Sequence, residues 1–252
     1  EKGAWTGDDE LIVNALKRFA RQQSIFGDDI FTVLPRHELT VRILTLPSHD
    51  PQEIAGMVRL SAEEHVPYSF NDLVIDQCIL QRMSDGHARV LAVFAHKDLV
   101  ERHVRILSEA GLEPQQIFVS TACLASVMFA AQGDTEERCA LINLALGGME
   151  ILIGKGNVLE YGRAASMPLE HVHADVTSEL AEELANEVRT SLTVFRREFP
   201  DRNVIDRLYL CSEFWESNEV AKALSSLLEE EVLSSRHGLT LCAHETPNVH
   251  SI

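Results

Sequence analysis

The stretch Arg42–Leu80, RILTLPSHDPQEIAGMVRLSAEEHVPYSFNDLVIDQCIL, reads as strand, capped helix, proline stop and strand. Asp50 is a strong N-cap. Pro51 suits the first helical position, where no N–H is needed, and Glu53 at N3 completes a capping box. Ile54, Met57, Val58, Ala62 and Val66 form one apolar stripe at helical spacing. Pro67 ends the helix because it has no N–H to offer a further turn. Asp72–Leu80 alternates as a strand, and Arg89–Ala95 is a second, joined through the Asp85-Gly86 turn signal. The unit is regular, yet it holds no cluster of catalytic side chains.

On its N-terminal side, residues 9–23 have helical spacing, with Leu11, Ile12, Ala15, Leu16 and Phe19 on one face and Asp8 or Asp9 as cap. Residues 29–35 and 40–47 are two strands closed by Pro35 and Pro47, with Arg36–Leu39 as the turn between them. On its C-terminal side, residues 98–111 are the clearest helix in the chain. Asp98 caps it, and Leu99, Val100, Val104 and Leu107 share one side with His103 beside them; Gly111 suits C′. A short strand at 115–120 and a buried small-residue helix at 121–131 follow. The polar break Gln132–Arg138 marks a domain boundary.

The second half restarts with a strand at 139–146 and a hairpin over 149–163 turning on Gly154–Asn157. A long helix covers 176–198, where Val176, Leu180, Leu184, Val188, Leu192 and Phe195 repeat at helical spacing. A strand at 204–211, a helix at 217–231 and a last strand at 238–243 complete the chain. Strands alternating with helices in both halves predict two α/β domains.

Composition narrows the function. The 252 residues are 45% hydrophobic, enough for sizeable cores. A formal net charge of −17 repels phosphate backbones and anionic lipid surfaces, so nucleic acid is excluded as a partner, and so is direct membrane insertion, because no apolar run approaches a membrane span. Cys78, Cys123, Cys139, Cys211 and Cys242 are odd in number and unpaired by spacing, which suggests a reducing compartment.

Several segments occur in a telling order: LP (46–47), AEEHVPYSFNDLVIDQCIL (62–80), VLAVFAHKDLVERHVRILSEAGLEP (90–114), LAEELANEVRTSLTVF (180–195) and IDRLYLCS (205–212). In order and spacing the chain resembles the PilM family of type IV pilus assembly proteins over about residues 10–245. These are actin-like, FtsA-related cytoplasmic proteins, and the cytoplasmic part of the type II secretion protein GspL is similar. The resemblance implies an α/β, actin-like architecture of two lobes. The first lobe would be 1–133, with an extra small subdomain at about 31–93, and the second 138–252. The family's opening strand hairpin, with its first phosphate loop, would lie upstream of Glu1.

The family's second phosphate loop reads D-x-G-x-x-x-T. By that resemblance its positions here are Asn143, Ala145 and Met149: the charge is gone, a Cβ obstructs backbone approach to phosphate, and a thioether replaces the hydroxyl. Gly147 and Gly148 could supply an alternative loop, and Glu183 or Glu187 would be the ribose contact if a nucleotide binds; solvated charges on an amphipathic helix are the favoured reading of both glutamates. The family's Gly-rich adenosine loop is replaced by Ser212, Glu213 and Phe214. The resemblance therefore implies a scaffold with no catalytic residues and no cofactor expected, ATP being the alternative. It would sit in the cytoplasm and associate with the inner membrane through a PilN-like tail, or contact the assembly ATPase, with edges around 31–47 or 72–80 as docking places; a homo-oligomer is compatible with it. Phosphoryl transfer needs positioned phosphates and a metal, and little of that machinery is left here.

Other groupings have plainer readings. His171-x-His173 and Cys242-x-His244 imitate a zinc set, but nothing in the sequence fixes their separation. Lys155 between two glycines lacks the spacing of a phosphate loop and reads as a hairpin turn. Trp5 and Trp215 are candidate partner anchors or local packing residues.

Overall fold

The computed structural model describes residues 8–25, 27, 29–133, 135–145, 148–165, 178–202, 204–212, 217–228 and 232–234. Two compact units divide the chain at Ser120/Thr121.

The first unit opens with α1 (Asp9–Gln22), capped by Asp8, whose carboxylate accepts the Glu10 N–H. Its inward face is Val13 and Ala20 with Ile12 and Leu16, packed with Ile106, Leu107, Ala110 and Leu112. Leu11 and Phe19, expected inside, are exposed. Two interleaved i, i+4 sets compete here, and tertiary packing chooses the one that meets α3 (Lys97–Glu109).

Strands β1 (Ile30–Leu34) and β2 (Thr40–Leu46) are not a hairpin. β1 pairs in parallel with β5 (Pro114–Val119), whereas β2 pairs antiparallel with β4 (Ala88–His96). The expected turn is a short 3-10 helix, Arg36–Glu38, that carries the chain from one sheet to the other. It is pinned because the Arg36 N–H donates to Ser120 Oγ at 2.9 Å and the Arg36 guanidinium reaches the Val41 carbonyl at 3.4 Å.

The second sheet has the order β2-β4-β3, with β3 at Leu73–Arg82. α2 (Pro51–His65) lies on it, and Ile54, Val58, Ala62 and Val66 bury their side chains against Leu73, Val90, Ala92 and Phe94. Asp50 caps α2 as expected, accepting from the Gln52 and Glu53 N–H groups. The capping box itself differs: Glu53 accepts from Ser48 Oγ, and that hydroxyl accepts the Asp50 N–H at 3.0 Å. The cap of α3 also differs. His96, not Asp98, is the N-cap, its Nδ1 accepting from the Asp98 N–H. α3 ends in a Schellman motif: the Leu112 N–H donates to the Leu107 carbonyl and the Gly111 N–H to Ser108, with Gly111 at φ 80°.

The second unit is built on a five-stranded sheet, β10-β9-β6-β7-β8. Its strands are β6 (Arg138–Ala145), β7 (Gly148–Lys155), β8 (Val158–Ala165), β9 (Arg207–Ser212) and β10 (Val232–Ser234). α5 (Ser178–Glu198) and α6 (Ser217–Leu228) cover one face with a core of Leu184, Val188, Leu192, Phe195, Val220 and Leu224 against Ile142, Leu144, Met149 and Ile151. α4 (Ser120–Gln132) contributes Met128, Leu124 and Phe129 to a cluster on the other face with Cys139 and Leu141. α4 is half-buried, less enclosed than its composition suggests. β10 lies just beyond the helix expected at 217–231, in residues given no element in the sequence reading. The expected strand at 238–243 lies outside the described residues, as do Trp5, Trp215, His171, His173, Cys242, His244 and Val176.

Candidate functional site

Two places merit a functional reading: the β6–β7 hairpin of the second unit and the open strands of the first. In the hairpin, Asn143 pairs across to Glu150 on one side and to Cys211 on the other. Paired residues share a face of the sheet, so these three project toward α4. Glu150 is buried and accepts a 2.5 Å hydrogen bond from Thr121 Oγ1 in the first turn of α4. A carboxylate thus stands beside Asn143, and sequence reasoning did not single it out because its role depends on a helix contact 29 residues away. Met149 points the other way, fully buried against the α5–α6 side. Ala145 pairs with Gly148, which adopts φ 141°, a backbone region that excludes ordinary side chains. Gly147 lies outside the described residues.

On α5, Glu187 is half-buried, and its carboxylate accepts from Arg163 at 3.1 Å. The same guanidinium nitrogen donates to Ser191 Oγ at 2.8 Å. Glu183, one turn earlier, is exposed. An ion pair between β8 and α5 therefore already occupies the Glu187 carboxylate. Lys155 ends β7, beside Gly156 (φ 57°) in the turn to β8, and its Nζ is 3.5 Å from the Glu136 carboxylate.

Three of the described thiols are unsuited to nucleophilic chemistry. Burial raises the Cys78 and Cys123 thiols and lifts Cys139 to about 11, the opposite of what a nucleophile needs. Among the described residues no group of three or more His, Cys, Asp or Glu could hold a metal ion. No helix among them is long and apolar enough to cross a membrane.

In the first unit, β2 and β3 are the outer strands of their sheet, each paired only with β4 among the described residues. The outer edge of β3 is a template for a further strand; on β2 the Val41 carbonyl is taken up by Arg36 and Arg42. Exposed apolar side chains gather where β3 begins: Tyr68, Phe70 and Val74. Tyr68 packs edge-on against His96, with ring centroids 4.9 Å apart. On β1, Phe31 and Val33 are exposed, and Phe31 leans on Phe118 of β5 at 6.1 Å. The stretch 31–47 thus splits between two sheets, and 72–80 is a true edge. α3 touches β3 and β4 as well as β5, so the two sheets are held around it. The Asp9 carboxylate, bound by Arg102 and Arg105, ties α1 to that same helix; these hydrogen bonds hold its carboxyl below the usual range.

No family model matches the sequence, and no curated protein matches it. The fold does have relatives. A chain of the PilM–PilN type IV pilus biogenesis complex superposes with a TM-score of 0.75 at 16% identity, over 89% of this chain and 74% of that one. A Bacteroides thetaiotaomicron protein of actin-like ATPase fold and unknown function gives 0.51 at 10% identity, over 90% and 77%. The cytoplasmic domain of EpsL, an inner-membrane component of the Vibrio cholerae type II secretion system, gives 0.48 at 12% identity, over 85% and 79%. The chain has the actin-like α/β fold that its sequence resemblance implied.

Proposed function

We propose that this chain is a scaffold subunit of a type IV pilus or type II secretion assembly, working on the cytoplasmic side of the inner membrane and held there by a partner's tail. The observation that carries this reading is the open edge of β3 with Tyr68, Phe70 and Val74 exposed beside it. An extended tail gains backbone hydrogen bonds by lying along such an edge and places alternate side chains into the apolar patch, with no catalysis required. The acidic chain attracts a basic tail and repels an acidic one. The fold's likeness to the pilus complex makes a PilN-like inner-membrane protein the first partner to try.

The hairpin supports the non-enzymatic half of the reading. Asn143, Ala145 and a core-facing Met149 offer neither a metal-directing carboxylate nor a hydroxyl where the family's loop has them. Glu150, on the Asn143 face, is buried and already takes the Thr121 hydroxyl, so its place in the sheet is filled by a helix contact.

The test is binding of a fluorescent N-terminal tail peptide from the PilN-like partner, followed by anisotropy. Val74→Arg places a charge on an exposed edge position and leaves the core alone. It is expected to weaken binding at least about tenfold, as a charge does on a strand edge. Unchanged affinity would refute the docking site. Melting with and without MgATP is the companion measurement: a nucleotide-dependent rise would overturn the degenerate-site reading in favour of an ATP-binding protein of the same machinery.

A further inference from the structure

The amides along the outer edge of β3 are not all open. The Leu73 N–H donates to the Phe70 carbonyl, and the Gln77 N–H donates to Asp76 Oδ1 at 2.8 Å in an exposed setting. Both are bonded within their own segment rather than across to β4. Both therefore point to the outer edge, and the two-residue period places the Ile75 amide there with them. Asp76 thus closes part of the edge with its own carboxylate.

The Asp76 side chain is exposed and stands on the sheet face away from α2. Its cross-strand neighbour is Val93, and Val74 and Cys78 flank it on the same face. Burial raises the Cys78 thiol and the Asp76 charge adds to it, as that adjacency requires. Among the described residues Asp76 makes no ion pair. Arg89, the basic residue of β4 on this face, pairs with Gln81 toward the far end of β3 and is buried. Lys97 donates to the Asn71 carbonyl ahead of the start of β3. An acid therefore sits in the middle of an edge strand, among uncharged neighbours, holding an amide that an added strand needs.

We infer that Asp76 selects the strand that can add to β3: one carrying lysine or arginine directly opposite it, with apolar residues two positions to either side to meet Val74 and Cys78. The inference rests on the docking reading of β3 and adds the partner's chemistry to it. An arriving strand takes the Gln77 amide and turns the Asp76 carboxylate out of its bond. A cation opposite receives that carboxylate in a charge-assisted contact, a neutral residue leaves it to water, and an acid repels it. An edge charge that only deters aggregation would instead reject basic and acidic strands alike.

The experiment uses the 252-residue chain and two fluorescent peptides of alternating threonine and valine. Each has its ends blocked and a central residue flanked two positions away by valines; that residue is lysine in one peptide and glutamate in the other. Anisotropy titrations up to about 1 mM are expected to show the lysine peptide binding at least about fivefold tighter. Asp76→Asn keeps an oxygen for the Gln77 amide but drops the charge, and should bring the preference below about twofold. Asp76→Lys should invert it, with circular dichroism confirming an unchanged fold. Saturating lysine peptide should also slow alkylation of Cys78 and leave Cys123 unaffected. Equal binding of the two peptides overturns the inference, as does a preference that survives Asp76→Asn or fails to invert in Asp76→Lys. Binding of neither peptide, or an unprotected Cys78, overturns it too. Whether the docking reading falls with it is read separately, from the tail peptide and Val74→Arg.

Discussion

Gly154 sits near the end of β7, where a methyl group has no room. An added Cβ would lie 2.8 and 2.9 Å from two ring carbons of Phe129 and 2.9 Å from the Val158 carbonyl oxygen. Real Cβ atoms essentially never come within 3.0 Å of a neighbour, so Gly154→Ala forces a displacement. Two terms favour the alanine: about 0.4–1 kcal/mol from a less flexible unfolded chain and about 0.8 kcal/mol from a buried methyl. Against them stands overpacking, about 1–3 kcal/mol. The ring can swing, since Phe129 is only half-buried, but the carbonyl belongs to the paired β8 backbone and cannot. The upper part of that range therefore wins, for a net loss of about 1 kcal/mol and a melting point about 2–4 °C lower. The assay is thermal and urea unfolding of four proteins: parent, Gly154→Ala, Phe129→Leu and the double variant. Relief of the ring contact in the double variant should appear as a coupling of about 0.5–1 kcal/mol. A stabilised Gly154→Ala, or strictly additive variants, would refute the steric account of how α4 docks on β7.

Other outcomes follow from named contacts. Glu160 is 8% exposed and binds Arg138 Nε at 2.6 Å and Arg202 Nη1 at 3.0 Å; Glu160→Gln removes the charge that pairs the part-buried Arg138 and should cost about 3 kcal/mol by urea denaturation, the low end because Arg138 and Arg202 both keep some solvent. The outer pair Arg207–Glu137 provides the contrast, and Glu137→Gln should cost under about 1 kcal/mol in the same assay. His103 is buried with Nε2 2.8 Å from Thr32 Oγ1, and burial lowers its pKa below 6.5. Its contribution is thus fully present above pH 6.5 and is lost as pH falls through the folded value; His103→Gln should flatten the decline in stability as pH falls below 6.5. Cys139, buried and lifted to about 11, should resist iodoacetamide at pH 8 in the native chain while Cys78 and Cys123 react first, as read by mass spectrometry of timed aliquots.

What was readable in the sequence was mostly local. Asp50, Pro51 and the Ile54–Val58–Ala62 stripe define α2 because capping and periodicity act within a few residues. The Asp85-Gly86 hairpin and the Gly111 helix end are local in the same sense, each needing a left-handed glycine. The partnership of β1 was not readable, since five residues of strand pattern do not say which sheet receives them. Nor was the inward face of α1, where Val13–Ala20 and Leu11–Phe19 are equally good stripes and only α3 decides. At the hairpin, Asn143, Ala145 and Met149 could be placed by resemblance. The Thr121–Glu150 bond could not, because it joins a helix start to a strand that no local pattern connects. The Arg163–Glu187 pair escaped for the same reason.

The pairing of β1 with β5 also sets an order of events. Val33 meets Phe118, eighty-five positions further along, and the whole β2-β4-β3 sheet with α2 is strung between them. That intervening piece is antiparallel and contains the local β3–β4 hairpin, and even its longer β2–β4 pairing spans less chain than β1–β5, so it closes sooner; the parallel pair must wait for both ends of a long excursion to return. During synthesis the excursion can be finished while β5 is still unmade. Its amides should be the first protected from hydrogen exchange, with those of Phe31–Leu34 among the last to gain protection and the earliest to lose it.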